Sequence, residues 1–144
     1  MRKLTKKRLV EINDDLWSLI VRDRDKHKCK MCGTDKGSGE AHHIIGKDDK
    51  GLRWDIENGI TLCYYCHRFK IHGGKMSSEK RIEFYKSVSD YDKLKEKSNQ
   101  VVKFNFDFCA DHFALLYLEA LKKKIDVSLV PKYVVVTVFG GENE

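Results

Sequence analysis

Three neighbouring pieces of the chain decide the fold: HKCKMCG (27–33), EAHHIIG (40–46) and IENGITLCYYCHRFKIH (56–72). Cys29 and Cys32 form one C-x-x-C pair, and Cys63 and Cys66 form a second. A tetrahedral zinc takes four soft donors, and each such turn places two sulfurs on one edge of the metal, so the spacing predicts a four-cysteine zinc knuckle. About thirty residues separate the pairs, more than in a compact zinc ribbon, but loop-closure cost rises only logarithmically with length. Four core thiols without metal, or a redox pair, is the competing reading, and the duplicated spacing argues against it. Cys109 stands apart as a core or surface thiol. The loop closed by the sulfurs carries His42, His43 and Asn58, and His67 follows Cys66 directly.

Outward from this centre, 144 residues suffice for one compact domain with extensions. Lys and Arg number 28 against 22 Asp and Glu, a formal charge of +6, which favours a polyanionic partner through counterion release. No apolar run approaches the roughly 18 residues that span a bilayer, and the Lys-rich start lacks the apolar region of a signal peptide. A cytoplasmic protein with reduced, metal-bound cysteines and no membrane partner is expected.

Arg2, Lys3, Lys6, Lys7 and Arg8 make Met1 to Arg8 read as a solvated basic arm. Leu9, Ile12, Leu16, Leu19 and Ile20 recur at helical spacing and predict an amphipathic helix ending near His27. Ala41 to Ile45 reads as a strand, Leu52 to Ile56 as an extended segment with Trp54 packed inward, and His67 to His72 as the start of a helix broken by Gly73 and Gly74. Ile82, Phe84, Tyr85 and Val88 support a further helix. Val101 to Phe108 alternates and predicts a half-buried strand, Asp111 to Lys124 a helix, and the β-branched run Tyr133 to Phe139 a last strand. Trp17 and Trp54 read as core residues.

The order His42-His43, Asn58, Cys66-His67 resembles the HNH endonuclease family over roughly Asp25 to Gly73, and LWSLIVRDRDK (16–26) is similar to the leading helix of phage members. GLRWDIENGITLCYYCHRFKIHG (51–73) with EFYKSVSDYDKL (83–94) is similar to the phage recombination-nuclease branch named after lambda NinG. The resemblance implies an α+β fold: a ββα-metal core (29–76) with the four-cysteine zinc knuckle, preceded by a basic arm and leading helix (1–28) and followed by a helical and strand C-terminal extension (77–144). It implies His42 and His67 as ligands of one catalytic divalent cation, His43 as general base, and Asn58 as the residue that orients His43 by bonding the backbone of the hairpin. His42 stands where relatives often carry Asp, so Mn²⁺, Ni²⁺, Co²⁺ or Zn²⁺ suits the site better on softness grounds, with Mg²⁺ retained by availability.

Two imidazoles hold a cation against the phosphate, while an imidazole with a pKa near 6.5 takes a proton from water, worth about 10² to 10⁴ in rate. Adjacent strand residues point to opposite faces, so His42 and His43 divide these duties only with a local twist or bulge. Arg53, Arg68, Lys70, His72 and Lys75 are candidates for nucleic-acid contacts. A five-residue offset from His67 puts His72 off that residue's face of an α-helix. An isolated histidine is more often a satisfied structural group, and an isolated basic residue a solvated charge; here they fall in one ordered constellation.

The resemblance implies DNA as the substrate, hydrolysed to 5′-phosphate and 3′-hydroxyl ends, in the cytoplasm of a bacterial host if the protein is phage-encoded. Three further readings stand beside it: a branched or single-stranded DNA recombination nuclease, a terminase-associated packaging nuclease, and a non-catalytic zinc-knuckle DNA-binding protein. The apolar residues after Val101 allow packing onto the nuclease or homodimerisation.

Overall fold

The computed structural model describes residues 2–140; Met1 and residues 141–144 lie outside the described part. The chain divides into two compact units, Val21–Val102 on the one hand and the segments up to Ile20 and from Lys103 on the other. These edges differ from the linear segmentation at 28/29 and 76/77.

Helix α1 runs Lys6–Arg24. It starts earlier than the apolar periodicity indicates, because Thr5 Oγ1 accepts the Arg8 N–H at 3.2 Å and caps the first turn. The basic arm is correspondingly shorter, and within it Leu4 is buried. Leu9, Ile12, Leu16 and Ile20 are fully buried along one stripe of α1. Lys26 and His27 then take positive φ and end the helix region.

In the same unit, α4 (Phe106–Lys122) contains most of the helix expected from Asp111 but starts five residues earlier, inside the expected strand, and α5 (Lys132–Phe139) replaces the other expected strand. Asn105 caps α4 by accepting the Phe108 N–H at 2.9 Å, so the alternation of Val101 to Phe108 resolves into coil followed by the first turn of a helix. For Tyr133 to Phe139, β-branched composition loses to context. A strand there has no partner, since the described residues contain a single two-stranded sheet, and a lone buried strand leaves its backbone groups unpaired. As a helix the segment buries Val134, sets Phe139 against Phe113 and Tyr117, and lets Thr137 Oγ1 donate to the Tyr133 carbonyl. Pro131 before it and left-handed Gly140 after it are ordinary helix punctuation.

The Val21–Val102 unit is built on an antiparallel pair, β1 (Glu40–His43) and β2 (Gly59–Leu62), with His42 opposite Ile60 and His43 opposite Gly59. Leu52 to Trp54 is turn rather than extended chain, and Asp55, extended, leads into a single 3-10 turn at Ile56–Asn58. After β2 the chain enters a helix whose body, Cys66–Ile71, is π-helical. Helices α2 (Ser78–Val88) and α3 (Tyr91–Lys97) complete the unit, capped by Ser77 and Asp90. One core joins all of these: Ile44, Leu52, Ile60, Leu62, Ile71, Tyr85 and Leu94, together with Cys29 and Cys66. Trp54 is buried as expected. The end of α1 is fastened to the strand pair because Arg24 donates to the carbonyls of Ile56 and Gly59, and Asp25 accepts the Thr61 N–H. No helix among the described residues is long and apolar enough to cross a membrane.

Candidate active site

The two C-x-x-C turns meet. The sulfurs of Cys29, Cys32, Cys63 and Cys66 all lie within 4.8 Å of one another, and Cys32 Sγ stands 3.7 Å from Cys63 Sγ. Four bonds of about 2.3 Å in a tetrahedron place sulfurs about 3.8 Å apart, so the arrangement fits one zinc-sized ion. Both turns have the same local cause: the N–H of Cys32 points at Cys29 Sγ, and that of Cys66 at Cys63 Sγ. Burial pushes the Cys29 thiol up, but the backbone N–H groups of Cys32, Cys63 and Met31 outweigh it and bring the group down to about 7. Burial and the adjacent sulfurs push Cys66 up. Four crowded sulfurs, with backbone N–H groups turned toward two of them, are an arrangement that a cation stabilises.

Asn58, fully buried, staples the connection between the strands. Its Oδ1 accepts the Ile45 N–H at 2.8 Å, while Nδ2 donates to the carbonyls of Ile45 and Leu52 at 2.9 and 3.1 Å. Asn58→Ala leaves these three backbone groups without their side-chain partner. A loss of at least about 2 kcal/mol in urea denaturation is expected, and an unchanged midpoint would show that the loop does not depend on it.

His43 ends β1 opposite Gly59, and its Nε2 lies 2.8 Å from the Arg53 carbonyl. That carbonyl only accepts, so Nε2 carries the proton and Nδ1 is the basic nitrogen. His42, one residue earlier, is buried and bonded through Nε2 to the Tyr85 hydroxyl at 2.8 Å. Burial, then the positive field of His67, His72, His43 and Arg81, holds its pKa down to about 3. A neutral imidazole keeps the lone pair that a cation needs. Despite their opposite pointing along the strand, both residues line one cleft of about 420 Å³ with His67, His72, Lys47 and Asp48.

The π-helix explains His72. With the His72 N–H bonded to the His67 carbonyl five residues back, a five-residue spacing returns to the same face, where an α-helix misses it. The rings therefore sit side by side, Nε2 to Nε2 at 3.1 Å. The expectation that the offset separates the two histidines is corrected by this turn. Gly73 permits it: a Cβ there would lie 2.5 Å from the Phe69 carbonyl oxygen. Nitrogens of His42, His67 and His72 all fall within 4.8 Å of one another. Two bonds of about 2.1 Å to one cation span roughly 3.0–3.4 Å, which suits the His67–His72 pair. Glu40 Oε1 accepts from His67 Nδ1 at 2.9 Å and so leaves Nε2 as the nitrogen with a lone pair. Arg68 braces the same carboxylate at 3.2 Å. Burial raises the pKa of Glu40, but the bonds from Arg68 and His67 prevail and lower it.

Of the residues expected to meet nucleic acid, His72 joins the donor cluster, and Arg68 holds Glu40 and lies over Tyr64. Lys70 and Lys75 gather over the Tyr65 ring, and Arg53 stacks on Trp54. Lys47 is the lysine that lines this cleft, and Arg81 and Lys95 line a second space that shares His42, His43 and His72 with it; no sequence spacing marks these cations. Glu40 was also missed; its alternation with His42 along β1 was the available signal, although the contact it makes is with His67.

Against this geometry, residues 29–72 match the family model of HNH endonuclease. The match covers less than a third of the chain and takes in both cysteine pairs, His42, His43, Asn58, His67 and His72. A nuclease class is thereby indicated for this span. Searches of curated proteins and of solved structures give no match to the chain.

Proposed function

We propose that this protein is a divalent-cation-dependent endonuclease that hydrolyses DNA phosphodiester bonds. The observation that carries the reading is the convergence of His42, His67 and His72 in a cleft that His43 also lines. The four-cysteine cluster is read as a structural zinc site, and the β1–β2–helix arrangement as a ββα-metal core. His42, held by Tyr85, and His67, held by Glu40, would hold the cation, with His72 as a third donor; a cation there would supply neutralisation of the charge that develops on the phosphodiester. Three imidazoles favour Mn²⁺, Co²⁺, Ni²⁺ or Zn²⁺ over Mg²⁺.

His43 takes the proton of the attacking water at Nδ1 while its Nε2–H stays on the Arg53 carbonyl. Asn58 fixes the backbone at Ile45 and Leu52, on either side of the turn that faces His43. Glu40 is a positioning residue. Glu40→Gln is expected to weaken cation binding 10–100-fold, read by titrating zinc-loaded protein with Mn²⁺ in a calorimeter; an unchanged affinity would remove it from this role.

The reading is tested by incubating zinc-loaded protein with duplex, single-stranded and four-way-junction DNA, with each cation in turn and with chelator. Cation-dependent cutting is expected. The likeness to the NinG-like phage branch makes the junction and the single strand informative substrates, and added terminase tests a packaging role. No cleavage of any substrate under any cation would replace the nuclease with a zinc-knuckle DNA-binding module.

A further inference from the structure

A second lobe of about 460 Å³ shares His42, His43 and His72 with the cleft and is lined as well by Arg81, Tyr91 and Lys95. Arg81 comes from α2 and Lys95 from α3, two helices beyond the span that matches the family model. Their placement is not an accident of long side chains on a wet face. Tyr85, one turn after Arg81, and Leu94, next to Lys95, are buried in the same core as Ile44 and Ile71, so both helices are anchored where the lobe begins.

No carboxylate lines this lobe. Neither Arg81 nor Lys95 forms an ion pair with a carboxylate among the described residues. Arg81 donates to the Ile71 carbonyl and the Ser78 hydroxyl, at 3.4 and 3.5 Å. Arg81 borders the same lobe as His42 and His72. Lys70 and Lys75 differ: they sit over Tyr65, and neither lines either lobe.

A strand whose scissile phosphate meets the histidines carries further negative charge to either side. Positive charges that lack a carboxylate partner and border a groove are what such a strand recruits. We propose that Arg81 and Lys95 form a phosphate-binding subsite that holds the DNA backbone on one flank of the scissile bond, which makes α2 and α3 part of the substrate site. This rests on the nuclease reading above. Arg81 supplies a planar fork suited to two oxygens of one phosphate, and Lys95 a mobile point charge.

The test is fluorescence anisotropy of zinc-loaded full-length protein on a labelled duplex without added catalytic cation, repeated over a range of salt, for wild type, Arg81→Gln, Lys95→Gln and the double variant. Each substitution is expected to weaken binding and to make the slope of log Kd against log salt shallower by about one. Lys86→Gln, on α2 but away from the lobe, is expected to leave the slope unchanged. A scan of single methylphosphonates along the strand supplies the local readout: neutralising the phosphate held by Arg81 should cost wild type affinity and cost Arg81→Gln none. Because Lys95 is exposed, Lys95→Gln reports even if an Arg81 variant fails to fold. A wild type that binds and cuts, with variants of equal slope and identical scan, would overturn the subsite alone. A wild type that neither binds nor cuts any DNA would overturn the nuclease reading and the subsite with it.

Discussion

His43→Ala is expected to lower the cleavage rate by about 10² to 10⁴ while zinc content, melting temperature and DNA affinity stay close to wild type. The separation of effects follows from where the ring sits. Its far nitrogen is anchored on the Arg53 carbonyl, it belongs to neither metal cluster, and it lies at the end of β1 rather than in the core. Removing it deletes a base and a bond to a turn. Single-turnover cleavage with saturating Mn²⁺ measures the loss, and added free imidazole is expected to restore part of it. Cutting by His43→Ala at the wild-type rate would take His43 out of the mechanism.

The second large effect is on stability. Cys63→Ser is expected to abolish binding of the zinc proposed for the four sulfurs and lower the melting temperature of the unit that holds them, because the free energy of structural-zinc binding, about 10–16 kcal/mol in small zinc-finger peptides, is largely folding free energy. The position of Cys63 explains the size. It joins the end of β2 to the start of the π-helix, and its partners Cys29 and Cys66 are themselves core residues. Losing the ion therefore loosens the strand pair, the knuckle and the helix that carries His67 and His72 at once. Metal analysis and thermal melting read the outcome; a variant that keeps its zinc and its melting temperature would show that the sulfurs are ordinary core thiols.

What could be read from the sequence was whatever has its chemistry in residue type and short spacing. Two C-x-x-C pairs point to a convergence of four sulfurs, and the four lie within 4.8 Å of one another. Asn58 by itself reads as a turn residue beside Gly59; only the family resemblance implied that it bonds the backbone of the hairpin, and its three bonds to Ile45 and Leu52 are to backbone. The rest depended on features that spacing does not encode. Tyr133 to Phe139 carries the composition of a strand, but strand formation needs an edge to pair with, and composition says nothing about whether one exists. Arg81 lies nine residues beyond His72, across a glycine pair and a new helix, so its return to the cleft is a property of packing. Glu40 bonds His67 on the π-helix, a contact of high sequence separation at which only its alternation with His42 along β1 hinted.

The wide turn at Cys66–Ile71 bears on how this chain is compared with others. Such a turn is equivalent to an α-helix with one residue inserted, so an alignment against a chain with a regular helix opens a gap between positions 67 and 72. Which column His72 then occupies depends on where that gap is put. A search for its donor set by fixed interval passes over His72, whereas superposing backbones recovers it.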